Sequence, residues 1–288
     1  MARQPRSLSG RVAVVTGGGR GIGKAIAKAL VDEGARVAIG DLDGSAAAQA
    51  AAELGRDTLG MQLDVTDHAG YTAFLDEVER RLGGIDVLVN NAGIMPVTPL
   101  AEEDAASIVR QLEVNLHAVI HGTQEAVRRM VPRRTGHIVN MASIAGRLGF
   151  PNLATYSATK HGVVGLSESV RWELRHTGVE ISVVMPSVVR TELTAGLASS
   201  RVPPVTAEDV AAEVVRALQF PRFDVFVPRA NGPLVQATAV LPRRVREALA
   251  RALRIDQPLL KADRAARAAY EERAAASAPA AEDERSAA

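Results

Sequence analysis

Short apolar runs alternate along most of the chain with longer stretches in which apolar residues recur every three or four positions. Runs such as Val12-Ala13-Val14-Val15 read as buried strands, and the periodic stretches read as amphipathic helices. The first unit is a strand over 11–16, a helix over 22–33 ended by Gly34, and a strand over 36–40. A helix over 46–54, a strand over 58–63, a helix over 67–82 and a strand over 86–89 follow. A long helix over 102–130, a strand over 137–141, a helix over 155–177 and a strand over 179–185, stopped at Pro186, complete the next group. Thr206 stands in capping position before a helix over 207–218, with Glu208 and Asp209 in its first turn, and Val225-Phe226-Val227 reads as a seventh strand. Strands alternating with helices at this short spacing favour a parallel sheet, so the pattern predicts an α/β fold with helices on both faces of one doubly wound sheet of about seven strands.

The character changes near the C-terminus. Arg243, Arg244, Arg246, Arg251 and Arg254 flank Val245, Leu249, Ala252 and Leu253, which share one helical face, so a basic amphipathic helix is expected there. It packs on its own domain or a dimer mate, or lies on an anionic membrane surface. Residues 229–273 are read as a helical extension whose apolar side chains (Leu234, Val235, Val240, Leu241, Leu259, Leu260) cover the substrate entrance or a dimer mate, with Asp263, Arg264, Arg267 and Arg273 left on an outer face. The Ala-, Pro- and charge-rich stretch 274–288 is expected to be a disordered tail.

Composition narrows the class. With 288 residues, 47% hydrophobic and 23% charged, the chain can bury a full core, and a formal net charge of +1 offers no general attraction for nucleic acid. The absence of cysteine excludes disulfides and thiolate metal sites, and the six histidines form no metal-binding cluster in sequence. The first ten residues lack the apolar core of a secretory signal, and no stretch approaches the roughly 20 apolar residues that span a bilayer, so a soluble, cytoplasmic protein is expected.

The candidate chemistry centres on Tyr156 and Lys160, four residues apart and therefore on one face of a helix. A phenol holds its proton to about pH 10, and an ammonium one turn away stabilises the phenolate, which makes Tyr156 a candidate general acid/base. Ser143 follows the strand over 137–141, at the end of an α/β sheet where ligands bind. Thr16-Gly17-Gly18-Gly19-Arg20-Gly21-Ile22-Gly23 joins the first strand to the first helix. Its glycines allow close backbone approach to a pyrophosphate at a helix N-terminus. Asp41, directly after the second strand, can accept hydrogen bonds from adenosine ribose hydroxyls and repel a 2′-phosphate, which favours NAD.

The combination of TGGGRGIG, NNAG at 90–93, Asn115, Ser143 and YSATK resembles the short-chain dehydrogenase/reductase family over roughly residues 8–195. The resemblance implies a Rossmann-type dinucleotide-binding catalytic domain over 1–228 and a homodimer or homotetramer built on the helices over 102–130 and 155–177. It implies that Asn115, Ser143, Tyr156 and Lys160 are catalytic, with Asn115 kinking its helix and holding a water in a proton relay. It also implies a cofactor site of Gly17, Gly19, Arg20, Gly21, Ile22, Gly23, Asp41, Asp64 and Val65 at the adenosine side. Asn90, Asn91, Ala92, Gly93, Tyr156, Lys160, Pro186, Val189 and Thr191 stand nearer the nicotinamide. Ser187 replaces the family's glycine in the segment from Pro186 to Thr191.

The expected reaction is hydride transfer between NAD(H) and a secondary alcohol or ketone. Ile94, Met95, Leu148, Phe150, Val188, Leu193 and Leu197 suggest a lipophilic substrate, while Arg147 could anchor an acid or lie on the surface. The alternatives are an NADP-preferring carbonyl reductase, since Arg20 stands where the resemblance implies a basic residue that meets the NADP phosphate in some members, and a non-catalytic protein that senses a dinucleotide.

Overall fold

The computed structural model describes residues 4–275 apart from 56, 195, 198–203, 240, 243, 246, 249–256 and 261–262. Seven parallel strands form one sheet in the order β3-β2-β1-β4-β5-β6-β7. They are β1 (Val12–Thr16), β2 (Arg36–Asp41), β3 (Leu59–Gln62), β4 (Val87–Asn90), β5 (Gly136–Met141), β6 (Val179–Pro186) and β7 (Asp224–Val227). The chain winds outward from β1 to β3, then returns to place β4 against the other side of β1, so the winding reverses between β1 and β4. Crossovers on either side of such a reversal leave a crevice at the C-terminal strand ends.

The helices on the two faces are α1 (Gly21–Asp32), α2 (Gly44–Leu54), α3 (His68–Leu82), α4 (Ala105–Leu112), α5 (Ala118–Met130), α6 (Ala154–Glu173) and α7 (Ala207–Gln219). Side chains alternate across the pleat: Val12 and Val14 join a core beneath α3, α5 and α6, while Ala13 and Val15 join one beneath α1, α2 and α7. A strand buried on both faces needs an unbroken apolar run, which is why β1 reads as one. Asp43, Asp67 and Asp104 cap α2, α3 and α4 by accepting backbone N–H groups, and Thr206 with Asp209 forms a reciprocal capping box on α7.

Three expectations change. The helix read over 102–130 is interrupted: α4 passes into a π-helical segment, Glu113–His117, before α5 begins. C-terminal to β7, the described elements are α8 (Asn231–Ala239), the short α9 (Gln257–Leu260) and α10 (Arg264–Ala275). Arg267 of α10, expected on an outer face, is 1% exposed, because its guanidinium is bonded inward to main-chain carbonyls and to Glu271. Helix α10 also runs into the stretch expected to be a tail, burying Ala274. Most of the basic helix expected from Arg243, and residues 276–288, lie outside the described residues. Among the described residues no helix is long and apolar enough to cross a membrane.

Candidate active site

The glycine turn after β1 is shaped as a backbone cradle. Gly17 takes φ +63°, and a Cβ there would stand 2.8 Å from the Ala92 Cα; a Cβ on Gly23 would strike the Gly17 carbonyl oxygen at 2.1 Å. Neither position can hold a side chain. No side chain caps α1, whose N-cap is Arg20, and no acidic residue stands in its first turn. The turn therefore leaves a helix N-terminus, with its unpaired N–H groups and positive dipole end, free for an anion. These features fit a dinucleotide pyrophosphate.

Asn91 and Thr16 brace the cradle. Asn91 Nδ2 donates to the Thr16 and Gly17 carbonyls (2.9 and 3.0 Å), while Thr16 Oγ1 accepts the N–H groups of Asn91 and Ala92. Thr16 was not among the sequence candidates, although its hydroxyl at a strand's end was a usable signal. Asn90 points the other way. It lies in a buried polar network, accepting from the Tyr71 hydroxyl and donating to Asn140, and so does not line the cofactor side.

Asp41 ends β2 with its carboxylate fixed: Oδ2 accepts the Gly19 N–H at 2.9 Å and Oδ1 the Asp43 N–H at 3.1 Å. Arg20 is drawn to Asp43 (2.6 Å) across an exposed pair. Asp43 is correspondingly more acidic than usual, chiefly through the Ser45 hydroxyl, then the Ala46 N–H and Arg20. Asp64 caps its own turn through Thr66, and Val65 is buried beside it. Thr191 lies against Gly21, 3.8 Å from where its Cβ would be. Ser187 adopts no left-handed conformation, so the glycine it replaces is not required by this backbone; its N–H donates to Val227.

Tyr156 and Lys160 sit in the first turns of α6, both buried. The Lys160 ammonium lies 5.7 Å from the Tyr156 ring centre and donates to the Met141 carbonyl at 2.9 Å. Burial lowers the Lys160 pKa to about 8. Burial also pushes the Tyr156 phenol well up, partly opposed by the neighbouring Ser143 hydroxyl. Ser143 Oγ also accepts the Ala145 N–H. Asn115, at the π-helical segment, is 0% exposed and spends its amide on one residue: Oδ1 accepts the Ile94 N–H and Nδ2 donates to the Ile94 carbonyl, both at 2.8 Å. The π turn is what aims Asn115 at that loop.

The Tyr156 ring packs with Met95, Val97, Ala145, Leu153 and Leu259, with Phe150, Leu193 and Leu197 against them. Arg147 takes no part, being paired with Glu168 and Asp224. A phenol beside a hydroxyl, a buried ammonium and an apolar wall thus meet beside a dinucleotide cradle.

Residues 11–201 match the family model for short chain dehydrogenase, and the chain belongs to that family. It is an oxidoreductase that acts on CH–OH groups with a nicotinamide dinucleotide. Among similar proteins, sorbitol dehydrogenase of Cereibacter sphaeroides is 40% identical over 186 residues, 64% of this chain and 73% of the relative. The 3-alpha-(or 20-beta)-hydroxysteroid dehydrogenase of Mycobacterium bovis is 38% identical over 187 residues, covering 65% and 72%. A solved short chain dehydrogenase/reductase from Burkholderia phymatum in complex with NAD superposes with a TM-score of 0.75 at 29% identity, covering 85% of this chain and 96% of that one.

Proposed function

We propose that the enzyme interconverts a lipophilic secondary alcohol and its ketone with NAD(H). The observation that carries this reading is the placement of the Tyr156 phenol: beside the Ser143 hydroxyl, which eases its ionisation, and packed in one cluster with Met95, Leu153 and Leu259. In oxidation Tyr156 acts as its phenolate: the alcohol O–H proton passes to the phenolate oxygen and restores the phenol, the carbinol C–H bond breaks with its electron pair leaving as hydride, and the carbon becomes a carbonyl. NAD, when bound, supplies the hydride acceptor.

Ser143 donates to the substrate oxygen and fixes its distance from the phenol. Lys160, held at the Met141 carbonyl and 5.7 Å from the Tyr156 ring centre, places a positive charge near the phenolate, countering the burial that disfavours it. In reduction the same phenol, kept protonated by its burial, serves as the acid. Asn115 holds the Ile94 peptide, and so the loop between β4 and the apolar wall. The cradle of Gly17, Gly21 and Gly23 would hold the pyrophosphate, and Asp41 the adenosine ribose.

The named relatives span a polyol and steroids. The wall around Tyr156 supports the apolar end of that range. We further infer a homo-oligomer, because Val109, Ile120 and Trp172 on α4, α5 and α6 present large apolar side chains to solvent, Trp172 at 68% exposure.

A panel of aliphatic, steroidal and aromatic secondary alcohols, with polyols as the contrast, tests the reading through NAD reduction. The expected outcome is turnover of apolar members, lost in Tyr156→Phe while NADH binding is kept. Turnover confined to polyols refutes the substrate class, and an active Phe variant refutes the proton transfer.

A further inference from the structure

The C-terminal helix α10 reaches back across more than 170 positions of sequence to one peptide unit of the active site. The Met95 N–H donates to the Tyr270 hydroxyl oxygen at 2.7 Å, and the Met95 carbonyl accepts from Arg267 Nη2 at 2.8 Å. The preceding residue, Ile94, has both its main-chain groups bound by Asn115. Four successive backbone groups of the loop after β4 are therefore held by side chains, two by the π turn and two by α10.

Arg267 does more than close this loop. Its Nη1 donates to the Leu193 carbonyl at 3.1 Å, its Nε to Glu271 at 3.0 Å, and its guanidinium lies 5.2 Å from the Tyr270 ring centre. One cation thus ties the loop after β4 to the segment after β6, and both segments contribute to the wall around Tyr156. Burying a guanidinium is costly unless it is well paired, and an aliphatic side chain would fill the same volume without that cost. The pairing with two loop carbonyls is what such a residue adds.

Further contacts seat the region along the cleft. Asp263 N–H donates to Gly196, Arg273 pairs with Glu192, Asn152 donates to Leu259, and Arg110 donates to Ala275. Leu259 itself packs in the cluster that holds the Tyr156 ring. Tyr270 is a near neighbour of Tyr156, so that a phenolate at Tyr270 would disfavour a second one at Tyr156.

We propose that α10 is part of the active site, with Arg267 and Tyr270 as positioning residues that fix the Met95 peptide and thereby set which secondary alcohols fit against Tyr156. This rests on the alcohol dehydrogenase reading above. Tyr270→Phe removes one oxygen and leaves the ring, and Tyr270→Ala also removes the ring, which packs against the core that includes Ile94; Lys28→Ala, which breaks only an exposed pair with Asp32 on α1, is the control.

Steady-state kinetics on secondary alcohols of increasing size, NADH titration and hydrogen exchange of residues 94–97 are measured on the full chain. Tyr270→Phe is expected to lower kcat/KM about tenfold through substrate KM, the effect of one lost hydrogen bond, with NADH affinity unchanged. Tyr270→Ala is expected to shift preference toward bulkier alcohols, and the control to match the wild type. A size preference and KM untouched by both Tyr270 variants would overturn the proposal and leave α10 an external brace. Exchange at 94–97 decides the matter independently of any substrate: acceleration in Tyr270→Phe supports the clamp, and no change refutes it. A wild type that oxidises no alcohol, yet shows accelerated exchange in the variant, would overturn the functional reading alone.

Discussion

Replacing Asp41 with Asn removes one negative charge and little volume, and it should move the enzyme's choice between NADH and NADPH. The carboxylate is held at the end of β2 by the N–H groups of Gly19 and Asp43, so it cannot swing aside without leaving both donors unpaired. A 2′-phosphate on the adenosine ribose would meet that fixed charge. Two unit charges about 4 Å apart repel by about 4 kcal/mol at an effective dielectric of 20 and about 1 kcal/mol in bulk water. Asp41 is half-buried, so the penalty lies between these limits, a factor of about five to about a thousand in dissociation constant. Arg20 does not cancel it, because its guanidinium is engaged by Asp43. Fluorescence titration should find the wild type binding NADH more tightly than NADPH. Asp41→Asn should tighten NADPH by a factor in that range, with a modest loss for NADH as a ribose acceptor is weakened. Added Asp43→Ala, which releases Arg20, should tighten NADPH further. A wild type that prefers NADPH, or an Asp41→Asn variant with an unchanged ratio, refutes the assignment.

Acid stability should report on His137, which burial holds neutral, with its pKa lowered to about 3. Ser182 gives its proton to the Arg222 carbonyl, so His137 Nε2 must donate to Ser182 Oγ, leaving Nδ1 as a lone pair without a partner among the described residues. The unfolded histidine takes a proton below about pH 6.5 that the folded one refuses. Its contribution is thus intact above that pH and lost as pH falls toward 3, at about 1.4 kcal/mol per pH unit. Urea unfolding at pH 7 and pH 5 should show a shallower loss in His137→Gln than in the wild type; equal losses would refute the argument. Mass photometry should find an oligomer at micromolar concentration that Trp172→Glu dissociates, since a charge there would be buried in the interface proposed for α4, α5 and α6. A wild-type monomer would refute that interface.

Much of the molecule was written in local spacing. Strands buried on both faces favour continuous apolar runs, so β1 and β4 were legible as such runs in the sequence. The Thr206–Asp209 capping box, the separation of Tyr156 and Lys160 by one helical turn, and the glycines of the cradle likewise depend on residues a few positions apart.

Tertiary structure decided the features that depend on direction or distant partners. Adjacent asparagines separate because successive residues at a strand's end face opposite ways, sending Asn90 into a buried network and Asn91 to the cradle. The π turn at Asn115 inserts a residue into the helical count, which spacing read as one uninterrupted helix. Arg20 could reach a phosphate or a carboxylate, and folding placed Asp43 nearer. Arg267 was assigned to water because a cation on an alanine-rich helix normally belongs there. Its burial depends on the carbonyls of Met95 and Leu193, 172 and 74 residues away, and main-chain acceptors leave no mark in a sequence.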